Sequence, residues 1–314
     1  MRMREGRRQQ RIKTKWKEYI LGKGLRFLRM DFNFMAIFNI CVGIIVGIIL
    51  ILPLIVVKQR WARLLIAAIA LIVAVFSVQF SEIYLYPRYL AFDFEHEILK
   101  EPLFRVIKSA HPKEFAEFID KVKQNIVQKK DPNIIPLYSA ELVNNVFYEH
   151  LKNAPDANVA LYLKATIDLY RYLYSQDPRA VVKLENSAGN FQYNFDAFIG
   201  DKQFSTLLSH LLDTKRLLIE AAIKAPVAAP TQEQAAPLLQ TVLKNLAAKY
   251  GDNVVQIMFA PPQPNTQANA IANMFIDFYS GILDSGKENA GIIMRHIGNL
   301  KSKEIETNKA PEQF

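Results

Sequence analysis

The segment DFEHE holds the residue types closest to those of a metal or acid–base site: Asp93, Glu95, His96 and Glu97. On a helix, side chains share a face when they are three or four positions apart, so Asp93 pairs with His96 and with Glu97 while Glu95 points elsewhere. A dinuclear carboxylate centre would need an ExxH motif on a second helix, and the chain contains neither ExxH nor HExxH. Asp93, His96 and Glu97 are candidate metal ligands, but the pattern favours a solvated polar face near the membrane.

The remaining histidines and the single cysteine add no metal or nucleophile motif. His111, His150, His210 and His296 are scattered along the chain, and the apolar neighbours of His210 in LLSHLL favour a core or boundary position. Cys41, standing alone, excludes an intrachain disulfide and a cysteine-based metal centre, which is compatible with a reducing compartment. The sequence therefore predicts no cofactor.

The motifs of nucleophilic catalysis and phosphate binding are absent. The chain has no GxSxG, GxxxxGK[ST] or GxGxxG, and the segment SGKENAG at 285–291 lacks the preceding strand that a phosphate loop requires. Only 12 glycines occur in the whole chain. These absences argue against an enzyme.

A tyrosine-rich segment, YLKATIDLYRYLY, predicts a protein contact. Tyr170, Tyr172 and Tyr174 lie at alternate positions, so they cannot all face one side of a helix. Tyrosine is enriched at protein interfaces because it combines apolar area with a hydroxyl group. We name these three as candidate partner-binding residues; the alternative is a central helix that is buried on several sides.

Two long apolar runs precede the helical part of the chain and would position it relative to a membrane. Residues 32–57 and 64–81 contain no charged side chain, and the apolar character of the second run continues to about residue 84. About 20 apolar residues suffice for a helix to cross the hydrocarbon core. The sequence predicts a transmembrane hairpin at 32–86, with spans of about 32–57 and 64–84; the alternative is a pair of buried core helices.

The distribution of charge predicts the orientation of this hairpin. Residues 1–31 hold eleven Lys/Arg and three Asp/Glu, a net charge of +8, while Lys58, Arg60 and Arg63 add +3 in the connecting loop. Because cytoplasmic flanks carry the excess of cations, we expect a multi-pass protein of the inner or plasma membrane with both termini cytoplasmic. If only the first run spans, the helical body lies outside instead. Subtracting +8 and +3 from the total of +9 leaves −2 for residues 64–314, which argues against nucleic acid as a partner.

The basic tail at 1–31 is partly amphipathic. Ile12, Trp16 and Ile20 are spaced four apart among cations, a pattern typical of a helix on an anionic lipid surface. Within the first span, Gly43 and Gly47 form a GxxxG motif, which lets two membrane helices approach closely. They are candidates for hairpin packing or a homo-oligomer, against a chance occurrence, which we favour.

The rest of the chain has helical periodicity, which predicts an all-α fold with a helical domain at 88–300. One clear stripe is Phe115, Phe118, Ile119, Val122 and Ile126, preceded by Pro112, which is suited to a helix start.

Breaks and caps in this domain are also legible. Asp156 and Asp201 are candidate helix caps. The Ala/Pro-rich segment 224–237 predicts a loop or short linker, and the tail 301–314, which lacks an apolar stripe, is predicted to be disordered.

These features predict a membrane-anchored helical protein that binds an unknown protein as a scaffold or assembly factor. One alternative is a secreted bacterial effector that inserts its hairpin into a host membrane, because the glutamate-bearing tail with Glu304, Glu306 and Glu312 resembles that of type IV secretion substrates. Another alternative is a membrane-bound metal-dependent enzyme that uses the membrane-proximal carboxylates.

Overall fold

The computed structural model describes residues 79–128, 134–185, 195–198, 200–259 and 267–309. It also describes six single positions nearer the amino terminus: Ile44, Ile48, Gln59, Ile69, Val73 and Phe76. The described residues form helices, turns and loops and contain no strand, which confirms the all-α prediction.

The predicted membrane region lies mostly outside the described residues. This holds for the basic tail at 1–31, for Gly43 and Gly47, and for most of the spans at 32–57 and 64–84. Within the described part of the chain, no helix combines the length and the apolar character needed to cross a membrane.

The structure gives the bounds of eleven α-helices in the described part of the chain. They are α1 (Tyr86–Ile98), α2 (Pro102–Ala110), α3 (Pro112–Val127), α4 (Ile134–Leu151), α5 (Asp156–Gln176), α6 (Pro178–Glu185), α7 (Lys202–Lys224), α8 (Gln232–Tyr250), α9 (Val254–Phe259), α10 (Ala268–Asp284) and α11 (Lys287–Lys309). A π-helical turn (Ser81–Leu85) precedes α1, and a 3-10 turn (Phe195–Phe198) precedes α7.

Helix starts follow local chemistry. Helix α7 begins after Asp201, whose carboxylate accepts hydrogen bonds from the backbone N–H groups of Gln203 (2.8 Å) and Phe204 (3.0 Å), which confirms the predicted cap. The other predicted cap is wrong, because Pro155 occupies that position and Asp156 lies in the first turn of α5.

The segment 224–237 is only partly a loop. A reciprocal pair of hydrogen bonds between Thr231 and Gln234 starts α8, so the helix already includes Pro237. This capping box satisfies two free N–H groups at the helix start. Pro237 forgoes only one hydrogen bond within the helix.

The described residues form two compact units. The major unit comprises residues 102–112 and 140–309, and the minor unit comprises residues 79–101 and 113–139. In the minor unit, α1 packs on α3: the rings of Phe94 and Phe118 lie 6.2 Å apart, and Lys123 donates to Glu95 at 3.3 Å.

Helix α5 is the centre of the major unit, since α6, α7, α10 and α11 all pack against it. Ten of its 21 residues are buried. The tyrosine-rich segment therefore lies on a helix that is buried on several sides, as the alternative interpretation of that segment predicted.

Helix α11 continues to Lys309, past the start of the tail that the sequence predicted to be disordered. Ser302 is buried, and Lys301 donates to Glu304 at 2.8 Å one turn further on. One buried side chain and an ion pair of this spacing extend the helix without an apolar stripe. Residues 310–314 lie outside the described part.

Candidate functional site

The carboxylate of Glu185 joins polar side chains from three helices of the major unit. It is the last residue of α6, and its Oε1 accepts hydrogen bonds from the hydroxyls of Tyr170 on α5 and Tyr279 on α10, the latter at 3.0 Å. The two tyrosine rings meet edge to face with their centroids 5.9 Å apart. We call these three residues the Glu185 cluster; they join α5, α6 and α10.

Burial dominates the electrostatics of this cluster. It raises the pKa of Glu185 above its ordinary value of 4.5, and the two tyrosine hydroxyls only partly oppose this. The pKa values of Tyr170 and Tyr279 are also raised, first by burial and then by the nearby carboxylate. A buried carboxyl group disfavours its charged form unless donors or cations compensate. The cluster is therefore a protonation-sensitive junction between helices.

Lys215 on α7 adds a cation to the same region. Its Nζ donates to the Oδ1 of Asn144 at 3.2 Å and lies 4.8 Å from the centre of the Phe147 ring. Burial lowers the pKa of Lys215 from 10.5 to about 8, while Glu185 acts in the opposite direction. An amine and a carboxyl with pKa values displaced toward neutrality are suited to proton exchange.

The hydrogen bonds of Glu185 and Lys215 nevertheless end on side chains of the chain itself. The bonds of Glu185 tie α5, α6 and α10 together. The bond of Lys215 ties α7 to Asn144 on α4. Such internal satisfaction is what a buried polar group needs in order to be tolerated. The arrangement supports a role in helix positioning and pH-dependent stability rather than in binding a substrate.

A second polar group, His111 with His150, lies in the same unit. The two Nε2 atoms are 2.8 Å apart, so one ring donates and the other accepts, and the rings meet edge to face. Glu149 lies 3.7 Å from the Nδ1 of His111. Burial lowers the pKa of His150 from 6.5 to about 4, assisted by His111 and Lys152. The pair forms only when at least one imidazole is neutral.

The residues of the DFEHE segment lie on helix α1. His96 is exposed, Asp93 and Glu97 are partly buried, and Glu97 pairs with Lys100 one turn away. Across the described residues, no group of three or more His, Cys, Asp or Glu side chains is arranged to hold a metal ion. Their assignment as metal ligands stays a prediction.

The three candidate partner-binding tyrosines occupy different environments. Tyr170 is buried in the Glu185 cluster, whereas Tyr172 and Tyr174 are partly exposed. The hydroxyl of Tyr172 bonds to Asp201, and that of Tyr174 accepts a hydrogen bond from Asn273 at 2.7 Å. All three hydroxyls thus have partners within the chain, and their role in binding another protein stays a prediction.

An open cleft of about 200 Å³ lies between α5 and α10. Its lining is strongly charged. The lining residues are Lys164, Ile167, Asp168, Arg171, Ser280, Leu283 and Asp284. Pockets for drug-sized ligands usually measure about 300–1,000 Å³, so this cleft suits one or two protein side chains better than a whole small molecule.

Sequence reasoning missed both buried polar groups. Tyr279 is 94 positions from Glu185, and His150 is 39 positions from His111. Only the packing of distant helices brings each pair together. The one local signal was the pairing of Tyr170 with Glu185, 15 positions apart across a Pro178 helix start, and it is too general to identify a site.

Comparison with protein-family models, with curated proteins and with solved structures finds no match for this chain. The described residues class the protein as all-α, with two compact units.

Proposed function

We propose that this protein is anchored in a membrane and that its helical part binds another protein there, as a scaffold or assembly factor. The observation that carries the proposal is the exposure of large apolar side chains in the two charge-free runs. Five of them are helical and between 40% and 65% exposed: Ile44, Ile48, Ile69, Val73 and Phe76. Exposed large apolar side chains along charge-free runs of this length favour contact with lipid or protein over contact with water.

The length and charge of these runs support lipid as the contact. Runs of 26 and 18 residues without a charge match the length needed to cross a bilayer. The basic residues of 1–31 would then hold the tail against anionic headgroups on the cytoplasmic face. The cations of the loop, Lys58, Arg60 and Arg63, would lie at the opposite interface.

The cleft between α5 and α10 supports the protein-binding part of the proposal. Lys164, Asp168 and Arg171 lie along one stripe of α5, and Asp284 on α10 faces the same cleft. Both signs of charge are therefore available to a polar side chain of a partner. Leu161, half exposed one turn earlier, extends this stripe with apolar area of the kind that anchors protein interfaces.

The anchoring is tested by paired reporters fused after Phe314, one active only in the cytoplasm and the other only outside it. Cytoplasmic activity, with the chain in the membrane fraction, is the expected result. External activity would mean that one run spans or that the loop cations dominate the tail. Recovery of the chain in the soluble fraction would contradict the anchoring itself.

The partner surface is tested by charge reversal. Arg171→Glu should reduce the recovery of cross-linked partner from intact membranes about tenfold, the usual effect of a central charged contact. Lys244→Glu, at an exposed position of α8, serves as the matched control. Equal recovery from both variants would remove the cleft as the binding surface. Tyr170 is unsuitable for this test because its substitution would perturb a buried cluster.

A further inference from the structure

Helix α1 presents an apolar stripe to its surroundings. Phe92 is 72% exposed, more than the other large apolar side chains in the described part of the chain, and Leu85 and Tyr89 are about 40% exposed. These residues follow the spacing i, i+4, i+7, so they share one face of the helix. Arg88, also exposed, lies on that face. We call these four residues the α1 stripe.

Packing fixes the α1 stripe in this outward position. Leu90, Ala91, Phe94 and Ile98 occupy the other side of the helix and are buried. The contact of Phe94 with Phe118 and the ion pair of Glu95 with Lys123 attach that side to α3. Rotating the helix to bury Phe92 would expose these core residues to water, which is unfavourable for large apolar side chains.

The position of α1 in the chain indicates what covers the stripe. Residues 79–98 are helical without interruption, so the helix that begins within the predicted second span continues directly into α1. Phe92 follows Tyr84 by eight positions, or about 12 Å along a helix axis. The headgroup region on each side of a bilayer is only about 5–8 Å deep. A helix normal to the membrane would therefore carry Phe92 beyond the headgroups.

Two local features allow a different course. The π-helical turn Ser81–Leu85 and Pro87, at the start of α1, both lie at this junction. π-bulges and prolines are the usual places where helices bend. A bend here would lay α1 obliquely on the membrane surface with its stripe toward the lipid.

We propose that the α1 stripe is a membrane-surface contact in which Leu85, Tyr89 and Phe92 enter the headgroup region and Arg88 pairs with lipid phosphate. Aromatic side chains favour this depth, and a cation is attracted to an anionic lipid surface. The inference rests on the proposed membrane anchoring. It adds that the minor unit is held against the bilayer by its own surface and not only by a tether.

The test uses the full chain in vesicles of phosphatidylcholine and phosphatidylglycerol, with Cys41→Ser as the background. Single cysteines at Phe92, Phe76 and Gln124 carry an environment-sensitive fluorophore. Phe76 reports the predicted span, and Gln124, exposed on α3, is the aqueous control. Quenchers are iodide in water, a spin label on the lipid headgroup and a spin label midway along the acyl chain. Tyr89→Cys repeats the measurement at a second stripe position in case F92C fails to fold.

The label at Phe92 should be quenched by the headgroup spin label and about threefold less by iodide than the label at Gln124. Equal iodide quenching at the two positions, with Phe76 quenched by the acyl-chain label, would overturn the surface contact and leave the anchoring standing. Shielding from iodide without headgroup quenching would mean that protein covers the stripe, which also overturns the inference. Iodide access at Phe76 would contradict the anchoring itself.

Discussion

The half-buried carboxyl of Glu185 makes the stability of the major unit depend on pH. Its pKa is raised in the folded chain by burial, so the folded state keeps its proton at pH values where the unfolded state has lost it. The stability contributed by the protonated group is fully present below pH 4.5, the ordinary value, and is lost as the pH rises through the higher folded pKa.

Glu185→Gln should remove this dependence, because the amide oxygen still accepts from Tyr170 and Tyr279 but cannot ionise. We expect the free energy of unfolding, measured in urea, to decrease less for the variant than for the unaltered chain as the pH rises from about 4.5 toward 8. Glu288→Gln, on an exposed residue of α11, is the control. Parallel pH profiles for E185Q and the unaltered chain would contradict the interpretation.

His150 should act in the opposite sense. Its pKa falls from 6.5 to about 4 on folding, so between these values the unfolded state binds more protons than the folded state. The contribution of His150 to stability is present above pH 6.5 and is lost as the pH falls toward 4.

A thermal denaturation series from pH 7.5 to 4.5 tests this. The melting temperature of the unaltered chain should fall more steeply than that of His150→Gln, which cannot take up a proton. His210→Gln, on an exposed residue, should follow the unaltered chain. If H150Q falls as steeply as the unaltered chain, the titration of His150 is not the cause.

At the scale of elements, the sequence predicted best those features that depend on a single helix, namely where it starts and which face it buries. The predictions for α3 are confirmed: the helix starts at Pro112 and buries the stripe from Phe115 to Ile126. Hydrophobic periodicity and the preference of proline for the first helical turn are both local properties of the sequence. The cap by Asp201 was predictable for the same reason. The predicted cap at Asp156 is wrong, because the carboxylate of Asp156 pairs with Arg295, 139 positions away, instead of capping α5. Propensity alone cannot anticipate such a distant partner.

The close approach of α11 to the end of α4 depends on Gly298. A Cβ atom at this position would lie 2.8 Å from the backbone nitrogen of Lys152 and 3.0 Å from the Cγ of Leu151. Backbone cannot yield as a flexible side chain can, so the helices would have to separate.

Gly298→Ala should therefore lower the free energy of unfolding by about 1–3 kcal/mol, despite alanine's higher helix propensity. Gly281→Ala is the matched control, because its Cβ would meet only Val242 Cγ1, at 3.3 Å. Chemical denaturation of both variants gives the comparison. A destabilisation by G281A as large as that by G298A would show that the effect is not specific to the α11 approach.

At the scale of the whole molecule, the chain has two parts of different composition, which the mean hydropathy and the net charge do not reveal. The mean hydropathy of +0.04 and the net charge of +9 describe neither the apolar amino-terminal region nor the nearly neutral helical part. Helical periodicity along the sequence predicted the all-α class of the described residues correctly. It could not predict the division into two units, because that depends on which helices pack together.

Extraction at alkaline pH tests whether the apolar amino-terminal runs hold the chain in the membrane. Under sodium carbonate the full chain should stay with the membrane pellet, because a hydrophobic hairpin resists extraction. A chain that begins at Arg88 should appear in the supernatant. Release of the full chain would mean that its apolar runs do not enter the hydrocarbon core.

The central place of α5 has a consequence for how the chain is made. Its packing partners α6, α7, α10 and α11 all follow it in the sequence, and the end of α11 at Lys309 lies 133 positions after the end of α5 at Gln176. At about 5–20 residues per second, the ribosome needs roughly 7–27 s to supply all four helices. During that interval the apolar sides of α5 have left the ribosome without their final neighbours. The nascent chain is therefore a natural client for chaperones at this stage, and slowing translation after α5 should lengthen that exposure.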